Sequence, residues 1–165
     1  MHHSDFIAKI ASIYKPNLYL ELGLYKGETW KKVSPFCNKM VGVDIVDRQL
    51  GGEIYIETTD SFFTHFRRNI DMVFIDADHS FESAKRDFIN CYNLLNDGGI
   101  IIMHDTDPES DHLFSSGYCG DSYKIVSFLE DNFQNVNVLT LPITEAGLSI
   151  ITKKNDTRTI RRSRK

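Results

Sequence analysis

Leu18-Tyr19-Leu20-Glu21-Leu22-Gly23-Leu24-Tyr25-Lys26-Gly27-Glu28-Thr29 reads as a buried strand that turns through two glycines into a helix. The strand half has little polar alternation, which suits a strand covered on both faces. Gly23 and Gly27 let the backbone approach a ligand closely, and the helix that follows offers free N–H groups at its start. A plain strand-to-helix turn would use glycines in the same way. The spacing is not G-x-G-x-x-G, because Tyr25 stands where the second glycine would, so a tight pyrophosphate approach is disfavoured. Glu21 sets a carboxylate near the crevice, which repels a diphosphate and suits a cationic ligand. Tyr25 and Thr29 lie in the same turn and join the candidates.

Outward from this stretch, short apolar strands alternate with amphipathic helical patterns. A helix carrying Phe6, Ile7, Ile10 and Ile13 follows Ser4, a candidate N-cap, and stops at Lys15-Pro16-Asn17. The spacing predicts a helix over residues 26–33, ended by Pro35, and strands over 40–45 and 53–57. Only a turn fits between those two strands. Asp60 is a candidate cap for a helix through Phe62, Phe63 and Phe66. A fourth strand is expected over 72–75 and a fifth over 100–103. Between them Ser80 caps a long helix with Phe81, Ala84, Phe88, Cys91, Leu94 and Leu95 on one face, ended by Asn96-Asp97-Gly98-Gly99. Residues 108–120 have no period and read as a loop over the site, with Phe114 and Tyr118 facing an acceptor. A helix over 123–133 and an antiparallel closing pair, 136–141 and 148–152, complete the chain.

This alternation predicts an α/β, Rossmann-like, doubly wound sheet of seven strands, mostly parallel with an antiparallel C-terminal strand. Ligands of such sheets sit at the carboxyl ends of the strands, where strand order reverses. Asp44 ends the second strand and can accept two hydrogen bonds from a ribose diol. With the glycine turn it indicates a nucleoside-containing ligand. Asp60-Ser61 can reach an adenine edge or merely cap a helix. Asp76, Ala77, Asp78 and His79 crowd the end of the fourth strand, and His104-Asp105 end the fifth. Carboxylates from neighbouring strand ends, with a histidine nearby, can hold a divalent ion of the Mg/Mn/Ca type, or can form a solvated acidic rim.

Composition narrows the setting. The 165 residues make one domain, 1–152, and a basic tail, 153–165. The tail holds seven basic residues and one acid, against 12 basic and 22 acidic residues in the rest. The acidic body disfavours nucleic acid, and the tail offers the one route to it. Without interleaved aromatics the tail reads as a solvated, disordered end. No apolar run approaches a membrane span, and the N-terminus lacks a basic region and apolar core of the secretory kind. Three cysteines without a C-x-x-C pair fit a reducing, cytoplasmic setting.

ELGLYKGET (21–29), VGVDI (41–45) and DMVFIDADHSFESAKRDFINCYNLLNDGGIIIMHD (71–105) together resemble class I S-adenosylmethionine-dependent methyltransferases. The closest resemblance is to the small-molecule O-methyltransferase-like branch with a DADHS segment, of the methyltransferase domain 24 type. It covers about residues 17–152. The resemblance implies that Glu21, Gly23 and Gly27 cradle the methionine end of S-adenosyl-L-methionine. Asp44 then holds the ribose, and Asp60-Ser61 flank adenine. It also implies Mg²⁺ on Asp76 and Asp105, with His104 departing from the acid usual at its position. His79 falls where relatives carry a histidine that ligates metal or acts as base.

The expected activity is methyl transfer to a hydroxyl of a small molecule or sugar. Alignment of the nucleophile with a sulfonium methyl supplies much of the acceleration. Asp76, His79 and His104 are the candidates for moving the hydroxyl proton, and a structural histidine bonded to backbone is the alternative for each ring. A partner subunit could complete the acceptor site. The competing functions are an NAD-dependent oxidoreductase, disfavoured by the glycine spacing and Glu21, and a non-catalytic nucleoside-binding module of the same fold.

Overall fold

The computed structural model describes residues 2–115 and 117–154. Seven strands, β1 (Leu18–Leu22), β2 (Lys39–Asp44), β3 (Glu53–Ile56), β4 (Ile70–Ile75), β5 (Leu95–His104), β6 (Val136–Leu141) and β7 (Leu148–Lys153), form one sheet in the order β3-β2-β1-β4-β5-β7-β6. The pairs from β3 to β5 are parallel, and β7 runs antiparallel to both β5 and β6. The order reverses between β1 and β4, so the crevice expected for a ligand opens above those strands.

Side-chain parity sorts the core into two layers. Leu20, Leu22, Val73, Ile75, Ile101 and Met103 face α3 (Thr59–His65), α4 (Phe81–Leu94) and α5 (Ile125–Asn132). Tyr19, Met72, Phe74 and Ile102 face α1 (His3–Tyr14) and α2 (Glu28–Val33). Period-2 alternation in strands buried on both sides requires this split. Glu21 shares the parity of Tyr19, so its side chain enters the α1–α2 layer.

Several local expectations are corrected. The cap of α1 is His2, whose ring accepts from Ser4 N–H; Ser4 is the second helical residue and fully buried. The helix after the glycine turn begins at Glu28, because Gly27 at φ 70° forms its N-cap. Thr58, not Asp60, caps α3 by accepting from Ser61 N–H. The stretch Asn96–Gly99 does not end α4 as a loop. It is a bulge inside β5, whose pairing jumps from Ile70↔Leu95 to Met72↔Ile100. Ser80 caps α4 as expected. Of the tail, Lys153 ends β7, Lys154 N–H donates to Asn135, and 155–165 lie outside the described residues. Among the described residues no helix is long and apolar enough to cross a membrane.

Candidate functional site

A cavity of about 1280 Å³ lies over the carboxyl ends of β1, β2, β4 and β5. Ordinary ligand pockets measure roughly 300–1,000 Å³, so this one is larger than most. Gly23, Tyr25, Asp44, Asp60, Asp76, Ala77, His79, His104 and Asp105 line it. Glu21, Gly27, Thr29 and Ser61 do not.

The four absentees have physical reasons. Glu21 is buried and accepts from the Tyr19 hydroxyl at 2.7 Å. Burial pushes its pKa up to about 8 against the Tyr19 hydrogen bond, so at neutral pH it offers a cationic ligand no charge. Gly27 packs under Leu50, whose methyls would meet an added Cβ at 2.5 Å. Thr29 is buried in α2, and the Ser61 hydroxyl is taken up by Glu57, to which it donates. Gly23 does line the cavity, yet its φ of 84° serves strand packing, since a Cβ there would strike the Asp76 carbonyl.

At the β2 end, Asp44 is closed by the protein. Leu24 N–H and Tyr25 N–H donate to Oδ2 at 3.0 and 3.1 Å, and Val46 N–H donates to Oδ1 at 2.9 Å. Arg48 Nε adds a fourth contact at 3.2 Å. A carboxylate has about four lone-pair sites, so Arg48 takes the capacity a ribose diol would use. Burial alone would raise the Asp44 pKa; these four donors hold it below the ordinary value. Further along, Asp60 pairs with Arg86 at 3.0 Å beside Glu57, Thr58 and Thr59.

At the β4–β5 end, four ionisable side chains converge. His104 Nδ1 lies 2.9 Å from Asp105 Oδ1 and 3.4 Å from Asp76 Oδ1. His79 Nε2 lies 3.4 Å from Asp105 Oδ2 and 3.8 Å from Asp76 Oδ1. Burial pulls the His104 pKa down, but Asp105 and Asp76 overcome it and push it up to about 10. That ring keeps its proton through neutrality. Its Nε2 is buried without a partner among the described residues. Asp105 sits at φ 59°, a left-handed conformation in which non-glycine residues cluster at functional sites. Asp76, His79 and Asp105 each bring one donor atom within 4.8 Å of the others, a spacing that a metal ion can span.

The loop after β5 is sewn onto this cluster. Asp121 and Ser122 N–H groups donate to the His79 carbonyl at 3.1 and 3.2 Å, and the Ser122 hydroxyl donates to the Asp105 carbonyl at 3.0 Å. Leu113, Gly117, Tyr118 and Cys119 line the cavity, whereas Phe114 turns aside to pack on Tyr123. Sequence reasoning missed contributors from three places in the chain. His2 and His3 enter from the start of α1, with the His3 ring 4.3 Å from that of His104. Burial and the neighbouring His104 lower the His3 pKa to about 4. Thr144, Glu145 and Ala146 enter from the β6–β7 turn. Arg48 carried the one available signal, its i,i+4 spacing from Asp44.

A sequence profile described as a methyltransferase domain matches residues 24–106. No curated protein matches the chain. Among solved structures, the fold resembles a Podospora anserina methyltransferase bound to SAH (18% identity, 93% of this chain and 78% of that one, TM-score 0.72). It resembles an O-methyltransferase from Bacillus cereus in complex with SAH (14%, 92% and 80%, 0.70). A rRNA methylase from Streptococcus thermophilus is also similar (11%, 93% and 95%, 0.67).

Proposed function

The chain belongs to the methyltransferase domain family, and from that premise we propose that it moves the methyl group of S-adenosylmethionine to a hydroxyl of a small molecule. The observation that carries the reading is the single cavity running from Asp44 to the Asp76–Asp105 cluster. It joins an end lined by Asp44 and an end lined by ionisable side chains able to handle a proton.

The residues present fit the cofactor. The Gly23 and Tyr25 backbone, both at positive φ, opens the β1 turn beside Asp44, and Ala77 floors the cavity between the two ends. Asp44 would hold the ribose once Arg48 swings aside, and Thr58 to Asp60 would border adenine. The donor set at the other end fits a divalent ion on Asp76 and Asp105, with His79 beside them. Such an ion supplies Lewis-acid activation, lowering the pKa of a bound hydroxyl.

The chain's own residues do the rest. His104 keeps its proton and positions both carboxylates. Asp76 is the more exposed of the two acids and takes the hydroxyl proton on Oδ2 as the oxygen attacks the methyl carbon. S-adenosylmethionine would supply the methyl group on its sulfonium and would leave as the neutral thioether. The acidic lining, with Asp76, Asp78, Asp105 and Glu145, favours a neutral or cationic acceptor over a polyanion such as RNA.

Calorimetry with S-adenosylhomocysteine and with NAD tests the reading. Saturable binding of the former alone is expected. A folded protein that binds NAD, or neither, overturns it.

A further inference from the structure

Asp87 is a buried acid with no part in the reaction read above. It lies in α4 one turn after Ser83, on the buried stripe of that helix. Its Oδ1 has no hydrogen-bond partner among the described residues. Buried polar groups are ordinarily satisfied, so a half-bonded carboxyl asks for a reason. Its neighbours supply one. Thr59, Asp60, Ser83 and Arg86 all line the cavity. Two ties close the seam between α3 and α4. In the outer, exposed one, Arg86 Nε donates to Asp60 Oδ1 at 3.0 Å while its Nη2 donates to the Ser83 hydroxyl at 2.9 Å. In the inner one, the Thr59 side chain hydrogen-bonds the Asp87 carboxyl.

We propose that Asp87 is a positioning residue for the cofactor: through Thr59 its uncharged carboxyl holds the Thr58–Asp60 wall of the cavity on α4, and its ionisation loosens that wall and weakens cofactor binding. The proposal rests on the methyl-transfer reading, in which Thr58 to Asp60 border adenine. Of the two ties, the Arg86–Asp60 pair is screened by water and holds the wall weakly. The Thr59–Asp87 tie is sealed from water, so the charge state of Asp87 decides how firmly α3 sits on α4.

The charged form is the costly one. Burial pushes the Asp87 pKa up to about 7 against the Thr59 hydrogen bond; Asp60 from α3 adds to the rise, Arg86 on its own helix opposes it, and Asp78 from the turn before α4 adds again. The other titratable group beside it is the Cys91 thiol one turn on, itself pushed well above its ordinary range by burial and by Asp87. An ionised Asp87 has one oxygen without a donor, and water that solvates it must enter between α3 and α4. Once open to water, the carboxyl returns toward its ordinary pKa of 3.8, whereas the closed seam keeps the proton up to about pH 7. The closed seam is therefore at full strength below pH 3.8 and weakens as pH rises to about 7, where the loss is complete.

Calorimetry with S-adenosylhomocysteine as a function of pH tests this, with amide hydrogen exchange over residues 58–66 of the ligand-free chain as a second readout. Wild-type affinity should fall about tenfold between about pH 5.5 and about pH 7.5, the yield of one pH unit of linkage to one proton. Asp87→Asn stays uncharged and keeps an acceptor for Thr59. Its affinity should hold within about twofold over the same range, and at the higher pH its residues 58–66 should exchange more slowly than the wild type's. Glu21→Gln should keep the wild-type fall, because Glu21 lies in the α1–α2 layer. If the asparagine variant does not fold, Thr59→Val reads the same tie from α3, and its affinity should sit at the wild type's high-pH level throughout. A flat wild-type profile overturns the proposal, as does the same fall in Asp87→Asn or a fall that vanishes in Glu21→Gln. Hydrogen exchange reports without the cofactor. If S-adenosylhomocysteine binds at no pH while residues 58–66 open in the wild type alone, the methyl-transfer reading falls and the seam stands; equal exchange in both proteins overturns the seam.

Discussion

The two ends of the cavity handle buried polar groups in opposite ways. At the ends of β1 and β2, Glu21 and Asp44 are closed by donors from their own chain: a tyrosine hydroxyl, three backbone N–H groups and an arginine. At the ends of β4 and β5, two carboxylates and two histidines crowd together, His104 Nε2 has no partner among the described residues, and Asp105 adopts a left-handed backbone. Buried polar groups are ordinarily satisfied, and each exception asks for an explanation. The first end is complete as a fold and must open one ion pair to take a ligand. The second leaves a buried histidine nitrogen unpaired among the described residues.

The largest expected effect lies where the loop grips the second end. Gly120→Ala forces a Cβ into the His79 carbonyl at a positive φ. We expect a loss of roughly 3 kcal/mol and a melting temperature lower by about 6–12 °C. S-adenosylhomocysteine affinity at temperatures where the variant is folded should change far less. A comparable loss of that affinity would show that the two ends are one cooperative unit and break the comparison.

The next effect belongs to the first end. Glu21 has a folded pKa of about 8 against an ordinary value of 4.5, so the folded state holds a proton that the unfolded chain releases. Stability from this group is full below pH 4.5 and is lost as pH rises through 8. Between pH 5 and pH 7 the loss should be on the order of 2–3 kcal/mol. Glu21→Gln keeps an acceptor for Tyr19 and should flatten that part of the profile. Thermal melts of both proteins across this range decide it; parallel curves would mean that Glu21 is ionised and the first end less closed than its contacts indicate.

Asp44→Asn should weaken S-adenosylhomocysteine binding by about 2 kcal/mol, the scale of a hydrogen bond to a charged group. Asparagine retains one acceptor for the Leu24 or Val46 N–H, so the turn should persist. Calorimetry on a variant with an unchanged melting temperature gives the number. An unchanged affinity would assign Asp44 to the turn alone.

The fold was legible because its signals are local and repeated. The apolar strands of residues 18–22 and 72–75 and the Ser80 cap announce their elements without help from distant residues, and alternation of strand and helix leaves few topologies. The site was legible only as far as strand ends go. Glu21 was misjudged because position in a strand end was weighed and parity was not; the residue shares a face with Tyr19 and enters the α1–α2 layer. Asp76, His79, His104 and Asp105 are brought together by the Ile75↔Met103 register, which two adjacent apolar strands suggest. Tyr118 lines the cavity from the loop expected over the site, whereas His3 and Glu145 arrive from a helix start and a hairpin turn. Their approach depends on tertiary packing, and no short-range pattern encodes it.

Arg48 carries the smallest expected effect and the most informative sign. Its side chain is 30% exposed, and it pairs with Asp44 at 3.2 Å while its guanidinium lies 5.9 Å from the centre of the Tyr25 ring. Pairs of this exposure contribute about 0–1 kcal/mol, because water screens them and the long side chain loses freedom in forming them. If Arg48 only fills the lone-pair capacity that the ribose needs, a ligand must break the pair before it binds. Arg48→Ala then removes that cost, and S-adenosylhomocysteine should bind up to about fivefold more tightly, or less than 1 kcal/mol. If instead the guanidinium moves to the ligand and holds it, the same variant binds more weakly. Tighter binding would mean that the first end closes itself with a residue the ligand displaces; weaker binding would mean that Arg48 belongs to the ligand's own shell, and the contrast between the two ends would narrow to the β4–β5 cluster alone.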